Sequence, residues 1–159
     1  MDRVNAILHN EIFLHELARI DQLESDRIYC RHGLPHLLDV ARTAYILNLE
    51  RGAQISQGLL YAAALLHDIG RAEQYESGVP HEQAGVSIAQ SILQCTAFST
   101  EEQARILDCV RCHHGKSFGG TEMMDLIFEA DKRSRPCYCC PAVDSCNWIP
   151  ERRNGSLTI

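Results

Sequence analysis

The sequence predicts an all-α fold: a single-domain bundle of about six helices closed by a cysteine-rich C-terminal tail. Three observations predict it. Apolar residues recur at three- and four-residue intervals through most of the chain, no segment sustains a period-two alternation, and no internal repeat is present. Gly, Pro, Ser and Thr fall at the ends of the periodic segments, where helix starts and stops call for them. The 159 residues suffice for one core of ordinary domain size, and 45% hydrophobic with 23% charged residues is the composition of a folded globular chain.

Taken in order, residues 3–24 read as the first helix, with Val4, Ile7, Leu8, Leu14, Leu17 and Ala18 at near-helical spacing and His9 and His15 on different outer faces. Gly33 and Pro35 mark the start of the second helix and Gly52 its stop, with Leu37, Leu38, Ala41, Ala44 and Tyr45 as the apolar stripe. From Ile55 to Ile69 the third helix is apolar on nearly all sides and therefore central, with Gly70 read as its C-terminal cap. "RAEQYESGVP" reads as a polar loop. The fourth helix starts near His81 and carries Gly85, Ile88, Ala89, Ile92 and Leu93 on one face. Ser99 and Glu102 have capping-box spacing at the head of the fifth, which runs through Ile106, Leu107 and Val110 to His113 and His114. After "GKSFGG" the sixth runs from about Thr121 to Lys132.

The formal net charge of −6 argues against a general nucleic-acid binder, because phosphate-backbone binding needs a concentrated basic surface. A small anionic substrate in a local basic pocket is compatible with it. In "MDRVNAILHNEIFLHELARI" Asn, His, Glu and Arg interrupt the apolar residues, so neither a signal peptide nor a membrane span fits and a cytoplasmic location is expected. Of the eight cysteines, Cys30, Cys95, Cys109 and Cys112 are scattered and four crowd the tail. Without an export signal they read as reduced thiols, core residues or metal ligands. Nothing in the sequence fixes an oligomeric state.

The informative stretch is "AAALLHDIG", where His67 and Asp68 interrupt an otherwise apolar helix. Burying either without a partner costs several kcal/mol, so something must compensate. Each of the other apolar stripes also ends in an ionisable group. His81 heads the fourth, His113 and His114 extend the fifth, and Asp131 extends Met124 and Ile127. Singly, each histidine has an ordinary explanation as a core residue bonded to a carbonyl. Together, His36, His67, Asp68, His81, His113, His114 and Asp131 deliver imidazoles and carboxylates from five helices to one core. Mixed nitrogen and oxygen ligands suit one or two divalent transition-metal ions: Fe, Mn, Co, Ni or Zn. Neighbouring His67 and Asp68 project about 100° apart, so they serve one ion from two directions or let the carboxylate bridge a pair. Two ions about 3.5–4 Å apart clamp a phosphoryl group and acidify a bridging water, which is hydrolytic chemistry.

At this point "PHLLDVA", "LLHDIGR", "HEQAG", "VRCHHG" and "FEADKRSR" occur in the order and rough spacing of the HD-domain superfamily of metal-dependent phosphohydrolases, which the chain resembles over about residues 30–135. His36, His67-Asp68 and Asp131 match the superfamily's His, His-Asp, Asp pattern. The resemblance implies a helical bundle with the metal site between helices and a nucleotide or other phosphoester substrate. His81 with Gly85, then His113, resemble the additional ligands of two-metal members. The Gly-Tyr-Pro signature of the cyclic-dinucleotide phosphodiesterases is absent after His114, so cyclic di-GMP is disfavoured. His114 is open between ligand, outer-shell residue and phosphate donor.

Arg71, Lys116, Lys132 and Arg133 are the candidate phosphate-binding residues, with Arg135 nearby; Asp68, Arg71 and Lys132 are the candidate catalytic ones. A solvated rim is the plain alternative for each cation. In "RPCYCCPAVDSCNW", Cys137, Cys139, Cys140 and Cys146 are candidates for structural zinc, against buried thiols, redox cysteines or an iron–sulfur cluster. Residues 1–135 are thus expected to form the phosphohydrolase domain and 136–159 a segment packed on it. His32 is left out of the site because Gly33 and Pro35 interrupt any helix joining it to His36. Alternatives to phosphoester or pyrophosphate hydrolysis are a di-iron oxygenase on the same fold and a non-catalytic sensor or interaction domain.

Overall fold

The protein, a computed structural model describing residues 1–112 and 120–157, is all-helical. Among the described residues eight α-helices follow one another: α1 (Asp2–Leu8), α2 (Glu11–Leu23), α3 (Leu34–Arg51), α4 (Gln57–Leu66), α5 (Arg71–Ser77), α6 (His81–Leu93), α7 (Thr100–Cys112) and α8 (Glu122–Arg133). Three 3-10 turns follow, Cys137–Cys139, Val143–Ser145 and Pro150–Arg152. No described helix is long and apolar enough to cross a membrane.

Helix α4 is the hub. Leu59, Leu60 and the run Ala62–Leu66 are all buried, and α1, α3, α7 and α8 pack around it. Ser56 caps its start by accepting from the Leu59 N–H, and Asn48 clamps the preceding loop through both its amide groups to Ile55. That clamp follows Gly52, whose φ of +65° ends α3 in the left-handed conformation a glycine adopts without penalty.

Two expected elements differ. The first helix is two helices, because Asn10 turns out of the helical path and its side chain accepts from the Ile12 and Phe13 N–H groups as a new N-cap. The break shifts the phase of the stripe: Phe13, Leu17 and Ile20 are buried, while Leu14 and Ala18 are exposed. The expected polar loop after Gly70 is helix α5, tied to α2 by Arg19, which pairs with Glu16 on its own helix and with Glu76 across the gap. The capping box at the head of α7 forms as expected, with Ser99 N–H on Glu102 at 2.8 Å and Glu102 N–H on Ser99 Oγ at 3.2 Å.

Gly70 has another role than the one its position suggests. Its φ of −85° is ordinary, so it is no left-handed cap. A Cβ there would lie 2.2 Å from the His81 carbonyl oxygen and 2.5 Å from the Gly85 nitrogen. The bare Cα therefore lets the turn after α4 touch the first turn of α6, which carries His81 towards Asp68.

The tail folds back onto the bundle. Asn154 donates from Nδ2 to the Lys132, Arg133 and Arg135 carbonyls, satisfying groups that the end of α8 leaves open, and Tyr29 donates to the Ser145 carbonyl.

Candidate metal centre

The centre forms where α4 stops. Its last helical residue is Leu66, and His67 to Gly70 make a turn that places both His67 and Asp68 in the interior. His36, in the first turn of α3, puts Nε2 at 3.6 Å from Asp68 Oδ2 and 3.5 Å from Asp131 Oδ1. His67 Nε2 lies 3.2 Å from Asp68 Oδ2 and His81 Nε2 3.3 Å from Asp68 Oδ1. Among the described residues, His36, His67 and Asp68 are the group that brings three ligand atoms within 4.8 Å of one another.

The other ring nitrogens explain why all these Nε2 atoms point inward. His67 Nδ1 donates to the Ala64 carbonyl at 2.7 Å and His81 Nδ1 to Gln74 Oε1 at 2.7 Å. His36 Nδ1 donates to Ser134 Oγ at 3.4 Å, and that hydroxyl donates to the Asp131 carbonyl at 2.9 Å. Holding the proton on Nδ1 leaves Nε2 as the bare lone pair, the form in which imidazole binds a metal. His36 Nε2 is buried without a hydrogen-bond partner in the structure. Lone pairs and carboxylate oxygens converging in a buried space repel one another, and a cation among them converts that cost into ligation.

Positive side chains flank the cluster. Arg71 Nε donates to Asp68 Oδ1 at 2.9 Å, Lys132 Nζ lies 2.5 Å from Asp131 Oδ2, and Arg135 reaches Asp131 Oδ1 at 3.5 Å. Burial alone would raise the Asp131 pKa; positive charge beside it, including that of Arg135 and Lys132, outweighs burial and holds the carboxyl well below its ordinary range. A cavity of about 210 Å³ opens beside these groups, with Arg27, Tyr29, His32, Arg71, Arg135 and Trp148 in its wall. The Arg135 guanidinium stacks 3.9 Å from the Trp148 ring centroid, and its Nε is buried without a hydrogen-bond partner.

The structure thus brings together His36, His67, Asp68, His81, Asp131, Arg71 and Lys132. It sends Arg133 elsewhere: two positions beyond Asp131 on α8, its guanidinium pairs with Glu129 at 2.6 Å, on another face of the helix. His113, His114 and Lys116 lie outside the described residues. His9 and His15 are exposed. Of the tail cysteines, Cys139 is exposed while Cys137, Cys140 and Cys146 are half-buried. Cys109 is a core residue, its thiol pushed up to about 12 by burial.

His32 is the residue that the reading from sequence missed. It is buried on the loop before α3, with Nε2 at 4.0 Å from Asp68 Oδ2. Glu24 orients it, accepting from the His32 backbone N–H at 2.7 Å and from ring Nδ1 at 2.5 Å, and Tyr75 donates its hydroxyl to the same carboxylate at 2.5 Å. Burial pushes the His32 pKa down, against the pull of Glu24.

A helical bundle with a buried His/Asp cluster at the end of its central helix is a metal-binding architecture. The chain belongs to the HD domain family, whose model matches residues 33–139. An uncharacterized protein of Clostridium beijerinckii is 39% identical over 157 residues, covering 99% of both chains. Ribonuclease Y 1 of Pediococcus pentosaceus is 33% identical over 95 residues; the match takes in 60% of this chain and 16% of the ribonuclease. The crystal structure of a predicted HD superfamily hydrolase from an uncultured Thermotogales bacterium superposes with a TM-score of 0.64 at 19% identity, covering 88% of this chain and 80% of that one, which establishes the shared fold.

Proposed function

We propose that the protein is a metal-dependent phosphohydrolase that cleaves a phosphoester or pyrophosphate bond of a nucleotide. The observation that carries this reading is the set of inward-facing Nε2 atoms around Asp68, above all that of His36, which meets two carboxylates and no hydrogen donor. His36, His67, Asp68 and Asp131 would hold a divalent transition-metal ion, with His81 and His113 for a second. A bound ion supplies Lewis acidity at a phosphoryl oxygen and a water acidified enough to act as nucleophile near neutral pH.

The chain's own groups do the rest. Arg71 holds the Asp68 carboxylate through Oδ1, the oxygen that His81 also faces, so that Oδ2 faces His36 and His67. Lys132 holds Asp131 through Oδ2, so that Oδ1 faces His36. The cavity beside them offers the Arg135 Nε and the Arg27 and Arg71 guanidiniums to phosphate oxygens, and Tyr29 and Trp148 as apolar surface for a base. Placing donors where phosphoryl charge accumulates lowers the barrier more than it strengthens ground-state binding. The ribonuclease Y relatives, which act on RNA by name, support a ribonucleotide-type phosphoester. A small substrate is favoured over a polymer by the net charge of −6 and the size of the cavity.

The test is metal analysis of anaerobically purified protein, followed by phosphate release from a panel of nucleotides with Mn, Fe and Co. Turnover that requires metal and is abolished in Asp68→Ala supports the proposal. Metal bound at the site with no turnover of any phosphoester or pyrophosphate would overturn it.

A further inference from the structure

A second set of metal-seeking side chains gathers outside the His/Asp cluster. The 3-10 turn Cys137–Cys139 closes with the Cys140 N–H on the Cys137 carbonyl, which sets these two cysteines at the ends of one C-x2-C turn. The next 3-10 turn ends in the same way at Cys146, whose N–H bonds the Val143 carbonyl. Cys30 arrives from the loop between α2 and α3. All four thiols are half-buried, none is in a disulfide, and all four line one cavity of about 350 Å³. Burial raises the Cys30 pKa, Arg135 opposes that, and Cys137, Cys140 and Cys146 each push it further up, so the four sulfurs sense one another's charge. Cys139 also lines this cavity but differs from the four: it is exposed and its thiol donates to the Pro136 carbonyl at 3.6 Å.

The spacing speaks against a single zinc. Four thiolates about a single zinc, at Zn–S of about 2.3 Å, stand about 3.8 Å from one another. No three cysteines among the described residues come within 4.8 Å of one another. A polynuclear centre bridged by sulfide holds its thiolates further apart than one zinc does. Soft thiolate donors suit such a centre, and the Arg31, Arg135 and Arg153 side chains in the cavity wall offset its negative charge.

We propose that Cys30, Cys137, Cys140 and Cys146 ligate an iron–sulfur cluster, with Cys139 outside the ligand set. The cluster cross-links the loop before α3 to the tail, fixing the segment that carries Trp148 and Arg153. His36 lies in the wall of the same cavity, and Cys30, Cys137 and Cys146 also line the cavity of about 210 Å³, so the cluster stands beside the His/Asp cluster, in the wall between the two cavities, without sharing a ligand with it.

The test is acid-labile sulfide and visible absorption of the full chain purified anaerobically, together with Cys30→Ser, Cys146→Ser and Cys139→Ser. Sulfide is read in place of iron because the His/Asp centre binds none, which keeps the two sites distinguishable. The expected result is about two to four sulfides per chain in the wild type and in Cys139→Ser. A fall of at least five-fold is expected in Cys30→Ser and Cys146→Ser, with the helical circular dichroism retained. One zinc per chain without labile sulfide would overturn the proposal, as would a cluster lost in Cys139→Ser and kept in Cys30→Ser. The wild-type sulfide content decides even where a serine variant fails to fold.

Discussion

His36 Nε2 and Asp131 Oδ1 face each other at 3.5 Å across the contact of α3 with α8 and make no hydrogen bond. A ligand pair of this kind stabilises the fold only with an ion between them. Adding Mn, Fe or Co at about a hundred times its dissociation constant is expected to raise stability by about 3 kcal/mol. That corresponds to a melting shift of about 5–10 °C in a chain of this size. His36→Ala should keep its helical spectrum and lose most of the shift, as read by thermal melts with and without metal.

Arg71 and Arg135 are expected to differ in their kinetics. Both line the cavity, but Arg71 bonds Asp68 at 2.9 Å, whereas Arg135 reaches Asp131 only at 3.5 Å and keeps its Nε unpartnered. Arg71→Ala should lower kcat by about 100-fold, the scale of removing a donor that acts at the transition state. Arg135→Ala should act mainly on KM, raising it about ten-fold, as steady-state phosphate release will show. Equal effects of both on KM alone would place Arg71 on the rim.

Gly70→Ala should be strongly destabilising, because its Cβ meets backbone atoms of α6 at 2.2 and 2.5 Å, and backbone cannot move aside as a side chain does. Overpacking of this kind costs about 3 kcal/mol. Gly85→Ala meets the Val110 side chain at 3.2 Å and the Gly70 backbone nitrogen no closer than an ordinary contact of 3.4 Å, and should cost clearly less. Urea unfolding of both variants makes the comparison, and metal affinity should fall in Gly70→Ala as His81 is pushed from Asp68.

Glu24 gives the fold an acid-sensitive contact. Burial would raise its pKa, but hydrogen bonds from the His32 ring, the Tyr75 hydroxyl and the His32 N–H bring it to about 2, from an ordinary 4.5. Because the folded value lies below the unfolded one, the stabilisation is complete above about pH 4.5 and disappears as the pH falls towards 2. The difference is worth about 3 kcal/mol. Glu24→Gln should therefore be less stable than the wild type at pH 7, and the gap should close on acidification through that window, measured by urea midpoints across pH.

What the sequence revealed and what it hid follow from geometry. His81 and Asp131 were legible because each sits in a helix whose buried face can be extrapolated by three or four residues, and His36 through its place in the His, His-Asp, Asp order of the resembled superfamily. His32 was not, because it reaches Asp68 from an irregular loop where no period applies, and its partner Glu24 is recognisable only once the loop is folded. Helix α5 was hidden by its polarity: Ala72 is its one buried residue, so it carries no apolar stripe. Gly70 was misread because a glycine after a helix usually caps it, whereas this one serves a close approach of two backbones. Cys30 stands far from the tail cysteines in the chain, and only the fold puts it beside them while leaving Cys139 exposed.

The central claim is that one cation is shared by side chains from separate helices. Anomalous diffraction from a crystal of metal-loaded protein tests it most directly. The account predicts a peak about 2.0–2.2 Å from the Nε2 atoms of His36 and His67 and from carboxylate oxygens of Asp68 and Asp131. Ordered side chains at those four positions with no peak among them, in protein that carries metal elsewhere, would contradict it.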